Sequence, residues 1–207
     1  HIGDSISDQM TPKVTQLNRT AGRKFFIDAQ SGQSYRTMVG EARGIAAGIR
    51  DGSAAVAPDI MVIALGTNDV ASVPQAAADF ANWKTGLGWI VARVLTDTAN
   101  VKCRVVMTVR DAGRDPGATN TALANAADAY NALIKQTVTN NPTRYRLVDW
   151  NLMAATHRYG DAVPWFSVNP YVPATTPPTI DRTHPNAAGL TALSNEILKQ
   201  EGLCPAS

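Results

Sequence analysis

Apolar residues gather along the chain in short dense runs, separated by longer stretches in which they recur every three or four positions. Four runs predict strands: Lys24 to Ala29 (KFFIDA), Asp59 to Leu65 (DIMVIAL), Cys103 to Val109 (CRVVMTV) and Tyr145 to Asp149 (YRLVD). DIMVIAL and CRVVMTV are nearly continuous apolar runs, the pattern of strands covered on both faces. The stretches between them predict helices over Tyr35 to Ile49, over Val73 to Leu95, with Ser72 and Gln75 in capping-box spacing, and over Thr121 to Val138. In the third, Leu123, Ala127, Tyr130, Ile134 and Val138 fall on one face. A last helix, Asn186 to about Gln200, carries Leu190, Leu193 and Ile197 likewise. This alternation is that of an open α/β sheet.

Gly40, Gly44 and Gly48 also repeat at helical spacing, and their flanking charges point to a small-residue face packed closely on the sheet, not to a membrane dimer. Tyr159 to Ile180 is rich in Pro and aromatics and shows neither period, so it reads as a long loop, a kind of segment that often carries function. No repeat, linker or low-complexity tract divides the chain, and residues 1–207 read as a single domain.

Composition narrows the functional classes. With 44% hydrophobic and 17% charged residues the chain is globular, and its net charge of +2 is scattered, which argues against nucleic acid or an anionic membrane as main partner. No apolar run approaches the roughly 20 residues of a membrane span, and the first residues lack a signal-peptide pattern, so any targeting segment is expected to have been removed upstream. Two cysteines and three histidines without ligand spacing predict no metal site. Gly86 and Gly88 lack the third glycine of a nucleotide fingerprint, and no cofactor is expected.

Three short motifs carry chemistry. Gly3-Asp4-Ser5 opens the chain, Gly66-Thr67-Asn68-Asp69 follows the DIMVIAL strand, and Asp181-Arg182-Thr183-His184-Pro185 precedes the last helix. Loops beyond the carboxyl ends of strands are where open α/β sheets bind ligands, so distant segments can converge there. A serine hydroxyl needs an adjacent base, and the base needs an orienting carboxylate; Ser5, His184 and Asp181 can supply these roles. Attack on an ester carbonyl creates an oxyanion, for which the Asn68 amide and loop N–H groups are suitable donors. Each motif also has a plainer reading: Ser5 as a helix N-cap, Asn68-Asp69 as a turn pair and His184-Pro185-Asn186 as a helix start.

Taken in order, the three blocks resemble those of the SGNH/GDSL hydrolase family over nearly the whole chain. The resemblance implies a three-layer α/β sandwich with a mostly parallel five-stranded sheet in flavodoxin-like order. It implies Ser5 as nucleophile, His184 as base, Asp181 as its orienter, and an oxyanion hole from the Ser5 N–H, a glycine N–H and Asn68. For that glycine Gly32 is preferred to Gly40, because Gly32 lies in the loop after KFFIDA and Gly40 inside a predicted helix. In the family the serine follows a full central strand, whereas only His1 to Asp4 precede it here, so the native gene product is expected to begin further upstream. Asp28-Ala29-Gln30-Ser31-Gly32 and Leu147-Val148-Asp149-Trp150 are also similar to segments in the SGNH domains of peptidoglycan O-acetyltransferases.

The expected activity is therefore hydrolysis of a carboxylic ester, a short acyl or carbohydrate acetyl ester, through an acyl-enzyme. The alternatives are transfer of the acyl group to a carbohydrate hydroxyl and, more distantly, a non-catalytic carbohydrate-binding module. Trp165, Phe166 and Tyr171 in the long loop are candidates for a substrate platform, or else they pack that loop down. Asp28 and Asp149, at strand ends, read as caps, and His157 as a solvated surface residue. Cys103 begins a strand and Cys204 follows the last helix, whose end should return to the strands' amino-terminal side. A disulfide between them is expected, and with it an extracytoplasmic or secreted location.

Overall fold

The computed structural model describes residues 1–20, 26–50, 53–54, 57–115, 117–118, 120–166 and 181–205. Five parallel strands form the sheet: β1 (Ile2–Gly3), β2 (Asp28–Ala29), β5 (Ile60–Ala64), β6 (Cys103–Met107) and β7 (Tyr145–Val148), in the order β2-β1-β5-β6-β7. A separate antiparallel pair, β3 (Ile49–Arg50) with β4 (Ser53–Ala54), stands apart from it. The helices are α1 (Ser5–Thr20), α2 (Tyr35–Met38), α3 (Glu41–Ala46), α4 (Thr67–Ala71), α5 (Ala77–Asp97), α6 (Thr121–Asn140), α7 (Trp150–Ala154) and α8 (Ala187–Gly202). Ala112–Arg114 form one 3-10 turn.

The apolar runs of the central strands serve two cores at once. On β5, Met61, Ile63 and the following Leu65 join one cluster with α2, α3, α5 and α6, while Val62 and Ala64 join another with α1, α7 and α8. On β6, Val106 faces the first cluster and Val105 and Met107 the second. The two-residue alternation of a strand thus covers both faces, giving three layers. Arg104, the one charged residue of β6, is 2% exposed, because its guanidinium donates to the carbonyls of Leu95 and Thr98 and stacks on the Tyr145 ring.

Several predicted boundaries move, each for a local reason. The helix expected over Tyr35 to Ile49 is two short helices: Val39 leaves α2 with an extended ψ of 122° and Gly40 turns the chain at φ 89°, a conformation glycine adopts without cost. A Cβ at Gly40 or Gly44 would meet nothing within 4 Å, so these two glycines do not form the close-packed face their spacing predicts. The helix expected from Val73 starts at Ala77, since Ser72 closes α4, its hydroxyl donating to Asp69 O, and Pro74 keeps the residue before it from helical geometry. KFFIDA is strand only at Asp28–Ala29, and its residues 24–25 lie outside the described ones.

Cys103 and Cys204 form the expected disulfide, with Cα atoms 5.8 Å apart across 101 residues of sequence. It joins the start of β6 to the segment after α8, where the Arg146 guanidinium also donates to Leu203 O. In the chain-entropy model, closing a loop of about 100 residues stabilises by up to about 4.7 kcal/mol. Thermal unfolding of the Cys103→Ala/Cys204→Ala variant is therefore expected to fall on the order of 10 °C below the wild type. Coincident curves for the two proteins would show that the link adds no stability.

Candidate active site

The sheet register aligns the loops that carry the motifs. Gly3 pairs with Ala29 on one side and Ala64 on the other, so Ser5, Gly32 and Asn68 lie two, three and four residues beyond one level of the sheet. Gly3 packs without a side chain because a Cβ there would lie 2.0 Å from Ser7 Oγ. Asp4, fully buried, accepts the Ile6 N–H on Oδ1 and the Asp8 N–H on its carbonyl, fixing the start of α1. Burial holds the Asp4 carboxyl above its ordinary pKa despite the Ile6 N–H. Ser5 thereby occupies the first helical position of α1, half-buried and facing the loop before α8.

That loop is built by Asp181. Its Oδ1 accepts the N–H groups of Thr183 and His184, both at 2.9 Å, and its Oδ2 lies 2.9 Å from His184 Nδ1. Burial would raise the Asp181 carboxyl, but the two backbone donors and the imidazole outweigh it, and the group sits below the usual carboxylate range. An ionised carboxylate only accepts, so the proton rests on Nδ1 and Nε2 faces outward as an acceptor. Ser5 Oγ is 2.9 Å from that Nε2. Asn186 caps α8 through the N–H groups of Ala188 and Gly189, while its own N–H donates to Trp165 O.

The Gly66-Thr67-Asn68-Asp69 motif is tied to the turn after β2. Asn68 Nδ2 donates to Gln33 O at 2.7 Å, and Asp69, 4% exposed, accepts the Tyr35 N–H at 2.8 Å. Burial raises the Asp69 carboxyl in spite of that bond. These two contacts bring the exposed Gly32 turn beside Asn68, whereas Gly40 lies two residues past the C-terminus of α2, at the start of α3. The structure thus brings Ser5, His184 and Asp181 into one hydrogen-bonded line and sets Asn68 against the Gly32 turn.

The loop aromatics divide differently. Phe166 is wholly buried and Trp165 is 9% exposed, each against Trp150, with Arg110 over the Phe166 ring. They pack the loop down and present no ring face to a ligand, which corrects the platform reading for both; Tyr171 lies outside the described residues. His157 is not a free surface residue either, since its ring stacks on Trp165 at 3.8 Å and its Nδ1 meets Val163 O. Asp149 is the N-cap of α7, as its strand-end position suggests.

Two supporting groups have no legible signal in the sequence. Asp115, 3% exposed, holds Arg110 and Arg182, and Arg110 donates to Arg182 O, so a residue far from the DRTH motif anchors it. Tyr130 on α6, readable only as a core position, sets its Oη 2.8 Å from Leu65 O and 3.0 Å from Met107 O. Its ring occupies the space beside Gly66, where φ is 117° and a Cβ would lie 2.4 Å from Tyr130 Cζ. Gly66→Ala is expected to cost about 2–6 kcal/mol, from left-handed strain and overpacking together. Urea unfolding against Gly40→Ala, which has positive φ but open space, isolates the clash; equal losses would show that backbone strain acts alone.

Solved structures with this fold include LAE5, an alpha/beta hydrolase enzyme from the metagenome of Lake Arreo, at TM-score 0.65 and 18% identity, covering 99% of this chain and 94% of that one. Axe2, an acetylxylan esterase from Geobacillus stearothermophilus, matches at TM-score 0.63 and 20% identity over 100% and 95%. A GDSL-like lipase from Bacteroides thetaiotaomicron matches at TM-score 0.61 and 18% identity over 97% and 86%. No curated protein sequence matches the chain. The GDSL-like Lipase/Acylhydrolase family model, however, matches residues 1–192 and so takes in all three motifs and the loops that join them at the sheet edge. The chain belongs to the GDSL-like lipase/acylhydrolase family.

Proposed function

We propose that the chain is a serine esterase acting on short acyl esters, with an acetyl group on a carbohydrate as the preferred substrate. The observation that carries this reading is the unbroken line Ser5 Oγ, His184 Nε2, His184 Nδ1, Asp181 Oδ2, each contact 2.9 Å. His184 takes the Ser5 proton as Oγ attacks the carbonyl, then gives it to the departing alcohol, leaving an acyl-enzyme. Water, deprotonated by the same imidazole, releases the acid and restores Ser5.

The oxyanion falls to three donors. Among the described residues the N–H groups of Ser5 and Gly32 meet no acceptor, and Asn68 has a second amide proton beyond the one given to Gln33. The N-terminus of α1 adds its positive dipole end at Ser5. The fold shared with Axe2, an acetylxylan esterase, supports the sugar-acetate assignment, and the disulfide supports an oxidising, extracytoplasmic setting.

The test is turnover of a chromogenic acetyl ester with and without an oligosaccharide acceptor, following acetate and acetylated sugar separately, with a serine-directed phosphonate to label the nucleophile. Acetate release with the label on Ser5 is the expected result. Acetylated sugar formed at acetate's expense would replace hydrolysis by acyl transfer, and no turnover with Ser5 unlabelled would remove the enzymatic reading.

A further inference from the structure

A cavity of about 150 Å³ has Arg110, Asp111, Arg114, Asn151 and Arg158 as its polar wall, and its Arg110 donates to the Arg182 carbonyl in the loop that carries His184. We propose that it binds a carboxylate on the carbohydrate part of the substrate, so that the preferred ester is that of an acidic sugar; this rests on the esterase reading above. The cavity far exceeds the roughly 30 Å³ share of one water and has room for a carboxylate with part of its ring.

The wall is rich in donors and poor in acceptors. Its one carboxylate, Asp111, is spent on both oxygens, Oδ1 on the Gly113 N–H and Oδ2 on Arg114. Arg114 is further held by both oxygens of Asp128, and Arg110 by Asp115, the Arg182 carbonyl and the Phe166 ring. Arg158 is different. Its closest carboxylate oxygen, Asp115 Oδ1, is 3.8 Å away, its Nη1 reaches only Arg114 O at 3.5 Å, and Asp161 is taken by its backbone N–H. Asn151 Oδ1 accepts the Asp111 N–H at 2.8 Å, which turns Nδ2 to the other side, without a partner among the described residues.

A guanidinium fork and an amide donor facing one cavity suit a planar, acceptor-only group. The place is also right. Arg110 bonds the carbonyl of Arg182, between Asp181 and Thr183, and Asp115 joins Arg110, Arg158 and Arg182, so the wall and the His184 loop are one braced unit. An acidic sugar anchored there would be held by the same side chains that brace the His184 loop.

The experiment compares kcat/KM on acetylated oligogalacturonate and acetylated xylooligosaccharide for the wild type, Arg158→Gln and Asn151→Asp, with thermal unfolding of each. Asn151→Asp keeps the acceptor for the Asp111 N–H and replaces the donor with a negative charge. The wild type is expected to prefer the acidic substrate at low salt, and each variant to lower that preference ten-fold or more through KM. Calorimetric binding of unacetylated oligogalacturonate, lost in Asn151→Asp, reads the pocket without catalysis. Binding without turnover of either ester would keep the pocket and remove the esterase reading. An unchanged preference in both variants overturns the proposal, and binding of inorganic phosphate alone would assign the pocket to a free anion and overturn the substrate role.

Discussion

Ser5→Ala is expected to lower kcat for a short acyl ester by about 10⁶-fold while leaving thermal unfolding unchanged. The size follows from what is removed. Oγ is the atom 2.9 Å from His184 Nε2, and without it the imidazole has no nucleophile to deprotonate and no acyl-enzyme can form. The unchanged stability follows from the surroundings. The start of α1 is fixed by Asp4, which holds the Ile6 and Asp8 N–H groups, and alanine keeps helical backbone geometry without strain. Steady-state turnover with calorimetry on the same preparation checks both halves. A variant that keeps a tenth of the wild-type rate would move the nucleophile elsewhere, to water activated by His184 directly or to another hydroxyl.

The same region shows where sequence reading stops. DIMVIAL and CRVVMTV give strands because their apolar atoms are needed on both faces, and β5 and β6 lie within those runs with each face served by alternate residues. α1 carries no comparable signal. Its residues SISDQMTPKVTQLNRT are mostly polar, include Pro12 in the helix interior, and offer only Ile6, Met10 and Val14 as a buried stripe. That stripe packs with Leu193 and Ile197 of α8, so tertiary contact makes a helix that local propensity would not. β1 is two residues long and exists through its neighbours, paired on both sides with β2 and β5.

The site divides in the same way. Ser5, Asn68, Asp181 and His184 are legible as candidates through residue type and the short spacing of their motifs, and the structure joins Ser5, His184 and Asp181 by hydrogen bonds. What braces them was not. Asp115 reaches the DRTH loop through Arg182, and Tyr130 reaches Leu65 O from a helix some sixty residues on, contacts that no local pattern encodes. Trp165 and Phe166 show the converse. Aromatic residues in a proline-rich loop suit a platform and a plug equally well, and only burial against Trp150 decides for the plug.

Asp181→Asn is expected to lower kcat by about 10⁴-fold with the loop still in place. Asp181 does two jobs with two oxygens. Oδ1 holds the Thr183 and His184 N–H groups, and an asparagine carbonyl can keep both. Oδ2 accepts from His184 Nδ1, and there the amide presents a donor instead. The imidazole then moves its proton to Nε2, which faces Ser5 with a donor where an acceptor is needed. The backbone is retained while the base is turned off, so KM for the ester should move far less than kcat. Stability carries an independent sign. The Asp181 carboxyl lies below its ordinary pKa, so the stability its ionised form contributes is present above the unfolded carboxylate range, near pH 4, and is lost as pH falls through the lower native value. Urea midpoints of wild type and variant should accordingly lie apart at neutral pH and converge in acid. A gap that widened in acid would show that Asp181 does not hold the charge, and a variant with wild-type kcat would show that it does not set the tautomer of His184.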